Sequence, residues 1–316
     1  MRAEGGGPAV SVITPCFNAV ERIGASVRSV MEQSYHDWEL IVVDDGSVDG
    51  SADAVRRLDC SRLRLIEQEN AGPSAARNHG LLEACGRYIA FLDADDTWHE
   101  DFLATMVAAL DRNHEAVLAY CGWQNLGVVG GRGEPFVPPE YESPSKAEVL
   151  LGGCRWPIHA ALTRAECIDR AGGFDETLRA SVDYDLWLRV ATQGPIVRVP
   201  KVLAYYYHHG GDQVTKNRLR VAMSHWTAQR KFIEAHPEVA EQIGPGRVRE
   251  LLVGELLLRG YRSYWARDLD SARALFRAVM RHGYGRPRDW VYMIPSLLPR
   301  RMHGALLNLR DRGRSQ

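Results

Sequence analysis

Short apolar runs alternate with amphipathic segments along the first 120 residues of the chain. Four runs of strand length are apolar or rich in β-branched residues: 10–14, 40–43, 63–67 and 88–92. The segments between them have the spacing of helices: 19–33, 51–58 and 74–84. The run at 40–43 contains no polar residue, which is typical of a strand covered on both faces. Strands that alternate with helices in this way predict an α/β protein with a mostly parallel, doubly wound sheet.

The pattern changes twice beyond residue 120. A Pro- and Gly-rich interval at 127–145 predicts a loop that leads to a second sub-region, in which a strand is predicted from Val197 to Leu203 and onward. From residue 217 the apolar positions have helical spacing and the polar positions are largely basic. We therefore expect a C-terminal helical extension whose surface differs from that of the preceding chain.

The formal net charge of −1 over 316 residues conceals a strong asymmetry. Residues 1–216 carry 20 basic and 31 acidic side chains, whereas residues 217–316 carry 19 basic and 9 acidic ones. Such a difference between two parts of one chain indicates two surfaces with different partners. The hydrophobic fraction of 45% and the charged fraction of 25% exclude collagen-like, coiled-coil and wholly disordered classes.

Cysteine usage and hydropathy bear on the compartment. The six cysteines have no CxxC or paired spacing, which disfavours a disulfide framework or a zinc cluster and favours reduced thiols. No segment reaches the roughly 20 apolar residues of a spanning helix, and residues 1–8 lack the apolar run of a signal peptide. We therefore expect a cytoplasmic protein.

Two predicted strands end in clusters of aspartates: Asp44 and Asp45 in the first, and Asp93, Asp95 and Asp96 in the second. Ligands of doubly wound sheets bind at the carboxyl ends of the strands. Clustered carboxylates repel one another unless a cation neutralises them, and oxygen ligands without histidine or cysteine clusters favour Mg²⁺ or Mn²⁺. Because such ions complete their coordination with phosphate oxygens, we expect a nucleoside diphosphate as the ligand.

Six short motifs occur in one order along the chain: PCFN at 15–18, VVDDGSVD at 42–49, NAGPSAARN at 70–78, LDADD at 92–96, GGFDE at 172–176 and DYDLWLR at 183–189. The ordered set closely resembles family 2 glycosyltransferases with the GT-A fold, over about residues 9 to 215. The resemblance implies a Rossmann-like catalytic domain that inverts configuration during transfer. The implied donor is a UDP- or dTDP-sugar, and the implied acceptor is a hydroxyl of a saccharide or lipid-linked molecule in cell-surface polysaccharide or glycoconjugate synthesis.

The resemblance also implies a division of the chain. Residues 1–8 are predicted to form a flexible N-terminus, and residues 9–216 to form the GT-A catalytic domain. Within that domain the resemblance assigns residues 9–120 to nucleotide binding and residues 121–216 to acceptor binding. Residues 217–316, which the resemblance does not reach, form the basic helical C-terminal region.

A set of donor-binding residues at the strand ends follows from the resemblance: Pro15, Phe17, Asp44, Asp45, Arg77 and Asp93. The two carboxylates of Asp44 and Asp45 would hold the pyrimidine edge and the ribose. Pro15 and Phe17 would shape the base pocket, although a strand-ending proline and a core phenylalanine explain them as well. Arg77 would lie near the diphosphate, where its planar cationic fork suits anionic oxygens. A structural ion pair is its alternative role.

The segment Asp93-Ala94-Asp95 matches the D-x-D element of the family. Alternation along the strand end turns both carboxylates the same way. The resemblance implies Asp95 as a ligand of Mg²⁺ or Mn²⁺, together with His209 or, alternatively, His208. A tyrosine stands where the family often has an arginine before that histidine. Asp96 is explained equally by a cap on the following helix.

Asp183 matches the catalytic base of the family, which takes the proton of the acceptor hydroxyl as its oxygen attacks the sugar. Val182 stands where the family usually has an acidic residue, and Asp185 is the alternative base. Four residues are candidates for acceptor contacts: Trp156, His159, Asp185 and Trp187. Core packing explains Trp156 equally well.

The end of the C-terminal region combines aromatic and aliphatic side chains with arginines, above all in residues 285–316. This composition is typical of a segment that lies on an anionic membrane surface. We therefore expect peripheral contact with the cytoplasmic face of a membrane. A nucleic-acid surface is the competing explanation, but no recognition motif accompanies the basic residues, so no nucleic-acid partner is expected.

Three other functions are alternatives to a glycosyltransferase. A sugar nucleotidyltransferase also uses a Rossmann-like sheet and a carboxylate-bound ion, but its Gly-rich phosphate loop is absent after the first strand. A dinucleotide oxidoreductase needs GxGxxG at the same place, which is also missing. A catalytically inactive glycan- or nucleotide-binding GT-A scaffold is the non-enzyme alternative, against which the intact Asp45, Asp95 and Asp183 argue.

Overall fold

The computed structural model describes residues 7–127, 133–208, 217–299 and 302. Within them the chain forms nine strands: β1 (Val10–Cys16), β2 (Trp38–Asp44), β3 (Leu63–Glu67), β4 (Tyr88–Phe91), β5 (Thr97–Trp98), β6 (Leu118–Leu126), β7 (Pro135–Phe136), β8 (Ala161–Arg164) and β9 (Ile196–Tyr207). The same residues form thirteen α-helices: α1 (Ile23–Met31), α2 (Ser51–Arg56), α3 (Pro73–Glu83), α4 (Phe102–Arg112), α5 (Lys146–Leu151), α6 (Ala165–Ala171), α7 (Val182–Ala191), α8 (Arg218–Ala235), α9 (Pro237–Ile243), α10 (Pro245–Arg249), α11 (Glu255–Trp265), α12 (Leu269–Arg281) and α13 (Pro287–Met293). The predicted alternation of strand and helix over the first 120 residues is confirmed.

Buried strands form where the sequence has uninterrupted apolar runs. In β2 the side chains of Leu40 to Val43 are fully buried, which confirms a strand covered on both faces. β1 continues past its predicted end, because Pro15 remains in register with Val43 and the strand ends at Cys16. A proline removes only one main-chain donor, and the parallel ladder tolerates this near a strand end. The prediction that Pro15 closes the first strand is therefore wrong.

The nine strands of the described residues form one sheet in the order β3-β2-β1-β4-β8-β6-β9-β5, with β7 paired to β6. Strands β3, β2, β1 and β4 are parallel, as the alternation predicts. Strand β8 runs antiparallel to both neighbours, so the sheet is mixed beyond β4. Leu162 near the start of β8 pairs with Ala90 near the end of β4. The 3₁₀ segment Ile158–Ala160 just before β8 therefore lies at the edge where the aspartates follow β4.

The chain divides into two compact units. The first comprises residues 1–150, 154–177 and 182–211 and contains the sheet, and the second comprises residues 151–153, 178–181 and 212–316. In the second unit, helices α11 and α12 pack through fully buried side chains that include Leu256, Leu275 and Phe276. The predicted functional subdivision of the chain stays a prediction.

None of the helices in the described residues combines the length and the apolar character that crossing a membrane requires.

Helix α3 lies unusually close to the sheet because it carries a glycine at its contact with β1. A Cβ added at Gly80 would lie only 2.5 Å from Cγ2 of Ile13. No larger side chain fits there without a shift of helix or strand. Since Gly80 lies one turn after Arg77 and Asn78, this close approach sets the height of both side chains above the sheet.

We expect Gly80→Ala to lower the free energy of unfolding by about 1–3 kcal/mol, because the new methyl group forces α3 away from β1. Urea denaturation measures the change. Gly24→Ala in α1 is the matched control, since its Cβ meets only the flexible end of Arg28 at 3.3 Å. Because alanine has a better helix propensity than glycine, the control should be as stable as the unsubstituted protein or more stable. Equal stability of Gly80→Ala and the unsubstituted protein would contradict the close approach of α3 to β1.

Candidate active site

Carboxylates from distant segments converge at the carboxyl edge of the sheet. Asp93, Asp95 and Asp96 follow β4, and Asp183 lies in the first turn of α7. Their four charges all act on Tyr206, near the end of β9, and burial together with these charges raises the pKa of its phenol. The structure thus brings together the LDADD and DYDLWLR motifs, as a shared site requires.

Arg77 of α3 is buried beside Asp93. Its Nη2 donates to Oδ1 of Asp93 at 2.5 Å, and its guanidinium lies 5.4 Å from the ring centroid of Phe174. Nε of Arg77 is also buried, and among the described residues it has no hydrogen-bond partner. An unpaired buried donor is costly. The guanidinium therefore forms the structural ion pair, while its buried Nε donor is unpaired within the described residues.

Asn78 connects α3 to the GGFDE segment. Its Nδ2 donates to the carbonyl oxygen of Phe174 at 2.9 Å and to Oε1 of Glu176 at 2.7 Å, while its Oδ1 accepts the Phe174 N–H at 2.8 Å. Gly173, which directly precedes Phe174, has a φ of 71°, and a Cβ at this position would lie 2.7 Å from Oδ1 of Asn78. Two motifs almost a hundred residues apart are thus one structural unit that holds Phe174 against Arg77. Asn78 belongs to the NAGPSAARN motif, but nothing in the sequence indicates that its side chain binds the loop of Phe174.

The aspartates that follow β2 organise the loop before α3. The carboxylate of Asp45 accepts hydrogen bonds from the Gln68 side chain at 2.8 Å and from the N–H groups of Ala71 at 2.9 Å and Gly72 at 2.8 Å. Asp44 accepts a backbone N–H from the turn that follows it. A carboxylate accepts about four hydrogen bonds, so Asp45 retains capacity for about one further donor. Contact of either carboxylate with a nucleotide stays a prediction.

Phe17 lies just beyond β1 and is 52% exposed, so its interpretation as a core residue is wrong. The loop around it is held by two hydrogen bonds to the turn after β2. Asn18 N–H donates to Oγ of Ser47 at 2.9 Å, and Val48 N–H donates to Oδ1 of Asn18 at 3.0 Å. These hydrogen bonds hold the backbone next to Phe17 against the turn that follows β2.

Asp96 is fully buried, whereas Asp93 and Asp95 are only half-buried. Its Oδ1 accepts the N–H of Tyr207 at 2.9 Å, and its Oδ2 lies 3.1 Å from Nδ1 of His159. Helix α4 begins at Phe102 and is preceded by Asp101, so the interpretation of Asp96 as a helix cap is wrong. Asp96 instead joins the end of β4 to the end of β9 and to the 3₁₀ segment before β8.

Burial perturbs both members of this pair. Desolvation, reinforced by the charges of Asp93 and Asp95, raises the pKa of Asp96 well above its ordinary value. Desolvation lowers the pKa of His159 to about 4, so its imidazole is neutral at neutral pH. Sequence reasoning did not find this pair, and its only signal was the last residue of LDADD, one aspartate more than the D-x-D element needs.

The four acceptor candidates are all buried. Trp156 and Trp187 pack in the core with their ring centroids 6.3 Å apart. Asp185 forms an ion pair with Arg189, and His159 belongs to the buried pair described above. Their burial favours core packing over acceptor contact, and the acceptor assignment stays a prediction.

Asp183 is half-buried at the start of α7. Its Oδ1 accepts the N–H of Tyr184 at 2.8 Å, and its Oδ2 lies 3.8 Å from Sγ of Cys154. Desolvation raises its pKa, against the opposing effect of the backbone hydrogen bond. A carboxylate with a raised pKa is a stronger proton acceptor. Asp185, the alternative base, forms an ion pair with Arg189, and the assignment of Asp183 as the base stays a prediction.

The predicted histidine ligand, His209, lies outside the described residues. The alternative, His208, has Nε2 at 3.0 Å from Oδ1 of Asn125, and its ring centroid lies 4.8 Å from that of Tyr206. This contact places His208 next to a ring on which the four carboxylates act.

Comparison with known proteins assigns the family. The sequence profile of glycosyl transferase family 2 matches residues 11–135. A UDP-Glc:alpha-D-GlcNAc-diphosphoundecaprenol beta-1,3-glucosyltransferase of Escherichia coli is 30% identical over 233 residues, which cover 71% of this chain and 87% of that protein. The chain belongs to glycosyltransferase family 2. A Bacillus subtilis protein named as a teichuronic acid biosynthesis glycosyltransferase is 29% identical, covering 72% of this chain and 90% of that protein.

Solved structures share the fold of this family 2 glycosyltransferase. Residues 1–349 of S. aureus TarS, in complex with UDP-GlcNAc, match with a TM-score of 0.58 and 20% identity, over 88% of this chain and 93% of that one. The mannosyltransferase PcManGT from Pyrobaculum calidifontis, in complex with GDP-Man and Mn²⁺, matches with a TM-score of 0.53 and 22% identity, over 97% and 88%. The predicted GT-A fold class is confirmed.

The donor atoms of the glycosyltransferase suit a hard cation. Asp93 and Asp95 are half-buried and follow β4. In the part of the chain that the structure describes, no group of three or more histidine, cysteine, aspartate or glutamate side chains is arranged to hold a metal ion. Mg²⁺ typically takes one or two protein carboxylates and completes its coordination with water and phosphate. Two carboxylates therefore fit an ion that binds together with the nucleotide.

We expect Asn78→Ala to accelerate amide hydrogen exchange in residues 172–177, because the Phe174 N–H loses its acceptor. Exchange in α4 should not change, and mass spectrometry of peptic peptides measures both. Asn113→Ala is the matched control, since the Asn113 amide donates only to the exposed end of its own helix. Unchanged exchange at 172–177 in Asn78→Ala would show that the segment is held by other contacts.

Proposed function

We propose that this glycosyltransferase is inverting and metal-dependent. It moves a sugar from a UDP- or dTDP-linked donor to a hydroxyl of a saccharide or lipid-linked acceptor in cell-surface polysaccharide synthesis. The observation that carries the proposal is the position of Asp183, a half-buried carboxylate with a raised pKa, within electrostatic reach of Asp93 and Arg77. A base, a cation site and an anion-binding arginine at one sheet edge are what such a transfer needs.

The proposed donor site runs from the end of β1 to Arg77. The exposed ring of Phe17 and the carbon atoms of Pro15 offer apolar surface to a base, and Asp45 can accept one further hydrogen bond, as from a pyrimidine N3–H. The buried Nε of Arg77 supplies a donor for the diphosphate. The names of the E. coli relative and of the TarS complex contain UDP-sugars, which supports UDP, and thymine presents the same edge as uracil.

Asp95 would hold Mg²⁺ or Mn²⁺, with His209 as a second ligand. Asp93 pairs with Arg77, and the match of Asp95 to the D-x-D element supports Asp95 as the principal carboxylate ligand. When bound, the ion offsets the negative charge that builds on the departing diphosphate, a contribution typically of several kcal/mol. The Mn²⁺ in the mannosyltransferase complex supports the choice of a hard cation.

The reaction proposed for these residues is a single displacement. Asp183 accepts the proton of the acceptor hydroxyl while its oxygen attacks C1 of the donor sugar. The bond from C1 to the diphosphate oxygen breaks on the opposite face, which inverts the configuration at C1. Arg77 binds the diphosphate oxygens through its remaining donor. Desolvation of Asp183 keeps the carboxylate basic enough for this transfer.

The names of the relatives support a proposal for the acceptor and the location. The E. coli relative is named for a diphosphoundecaprenol-linked acceptor, and the B. subtilis relative for teichuronic acid biosynthesis. These names support a lipid-linked or polysaccharide acceptor in this chain as well. The proposal includes a location in the cytoplasm, at the membrane surface that holds a lipid-linked acceptor. The relatives described above are named glycosyltransferases, which disfavours the nucleotidyltransferase alternative.

We expect Asp183→Asn to lower transfer by about 10²–10⁴-fold, because an amide has the volume of the carboxylate but cannot accept the proton. Affinity for UDP should stay within a few fold, as calorimetry with Mn²⁺ measures. Asp53→Asn, at an exposed site in α2, is the control. Loss of UDP binding together with transfer would assign Asp183 to binding or folding instead of proton transfer.

The pH dependence of kcat/KM tests the same base. Asp183 must be deprotonated to act, so transfer should rise with pH through its pKa. Because desolvation raises that pKa, the acid limb of the profile should lie above the range of an ordinary aspartate, about pH 4. An acid limb at or below that range would remove Asp183 from this role.

We expect Asp95→Ala to abolish the increase in UDP affinity that Mn²⁺ causes, because the ion loses its principal protein ligand. Calorimetry with UDP in Mn²⁺ and in a chelator separates metal-dependent from metal-independent binding. Asp53→Ala should retain the full Mn²⁺ effect. An equal Mn²⁺ effect in Asp95→Ala and the unsubstituted protein would move the metal site elsewhere.

A further inference from the structure

The last helical segment of the second unit has aliphatic side chains on its outside. Val291, Ile294 and Leu297, spaced by three residues in α13 and the 3₁₀ segment Ile294–Leu297, are 60%, 53% and 59% exposed. The inward positions Met293 and Ser296 are fully buried. A helix on a water-exposed surface normally shows the opposite arrangement, with polar residues outward. Here a serine is inside while three branched aliphatic side chains face outward.

A second helix extends this surface. Leu258 and Trp265 lie seven residues apart on one side of α11 and are 53% and 51% exposed. Helices α11 and α13 contact each other, since Trp265 and Tyr292 have ring centroids 6.0 Å apart. We call the combined surface the apolar face, which consists of Leu258, Trp265, Val291, Ile294 and Leu297. Exposed apolar side chains grouped on neighbouring helices are typical of an interaction site.

Positive charge borders the apolar face. Arg286 and Arg288 are exposed, and with Leu258 they line a cavity of about 700 Å³, whose other charged lining residues are Arg247, Arg249, Glu250, Glu255 and Asp289. Arg288 lies three residues before Val291, so it continues the same helical stripe. Within the described residues 285–299 the charged side chains are Arg286, Arg288 and Asp289. The partner of this face must therefore accept aliphatic side chains and a tryptophan and must also carry negative charge.

We propose that the apolar face docks on the surface of an anionic lipid bilayer. Its aliphatic side chains and Trp265 enter the interface between headgroups and acyl chains, where an amphipathic tryptophan is favoured. Arg286 and Arg288 remain at the level of the lipid phosphates. A second copy of the chain fits less well, because a symmetric contact would bring the arginines of both copies together. The proposal does not depend on the identity of the sugar donor or acceptor.

Vesicle flotation of the full chain tests this docking. The protein should float with vesicles of phosphatidylcholine and phosphatidylglycerol, and much less with phosphatidylcholine alone or at high salt. The triple variant Val291→Ser, Ile294→Ser, Leu297→Ser should lose binding by about tenfold or more, since three apolar side chains no longer enter the interface. Arg286→Gln with Arg288→Gln should weaken binding only to vesicles that contain phosphatidylglycerol.

Leu82→Ser is the matched control, because Leu82 in α3 of the first unit is 85% exposed and outside the apolar face. It should float like the unsubstituted protein, and all variants should keep the same circular dichroism and the same affinity for UDP. The UDP measurement separates a failure of docking from a failure of the proposed donor site. Equal flotation of the triple variant, or no flotation of the unsubstituted protein, would overturn the proposal. Sedimentation that shows a dimer broken by the triple variant would assign the face to a second copy.

Discussion

Mutual repulsion of carboxylates is the constraint on which the candidate active site depends. Asp93, Asp95, Asp96 and Asp183 are close enough for their charges to act on a single tyrosine. In a partly buried setting such a cluster persists only if a cation offsets it or a carboxyl group takes up a proton. Arg77 offsets Asp93, and burial shifts Asp96 toward its protonated form. The other two carboxylates, Asp95 and Asp183, are the ones that the proposed reaction uses as metal ligand and base.

Helix α3 connects the carboxylate cluster to the rest of the first unit. Gly80 brings the helix close to β1, and one turn earlier Arg77 and Asn78 reach in two directions. Arg77 meets the end of β4, whereas Asn78 holds the loop that places Phe174 against the guanidinium. The N–H groups just before the helix bind Asp45. A single helix thus couples the strand ends to the 172–176 loop, so a shift of α3 would disturb both.

The side-chain positions that sequence analysis anticipated and those that it did not differ in a physical way. Asp93 and Asp95 were predictable because alternation along a strand end puts both on one side. His159 and Trp156 have polar or aromatic groups that suit a cleft, but both are buried, and burial depends on the layers that later segments supply. Asp96 was mistaken for a helix cap because its partners, His159 and Tyr207, come from segments far away in the chain.

The sequence by itself determined the alternation of strands and helices, the acidic motifs in their order, and the opposite charges of the two parts of the chain. These depend on periodicity and composition, which are local properties. Only the tertiary structure decided that β8 enters the sheet antiparallel, that Asn78 binds the loop of Phe174, and which side of α13 faces outward. Those features depend on contacts between residues far apart in the chain. Ser296 and Val291 show the difference, since polarity alone predicts the opposite burial for each.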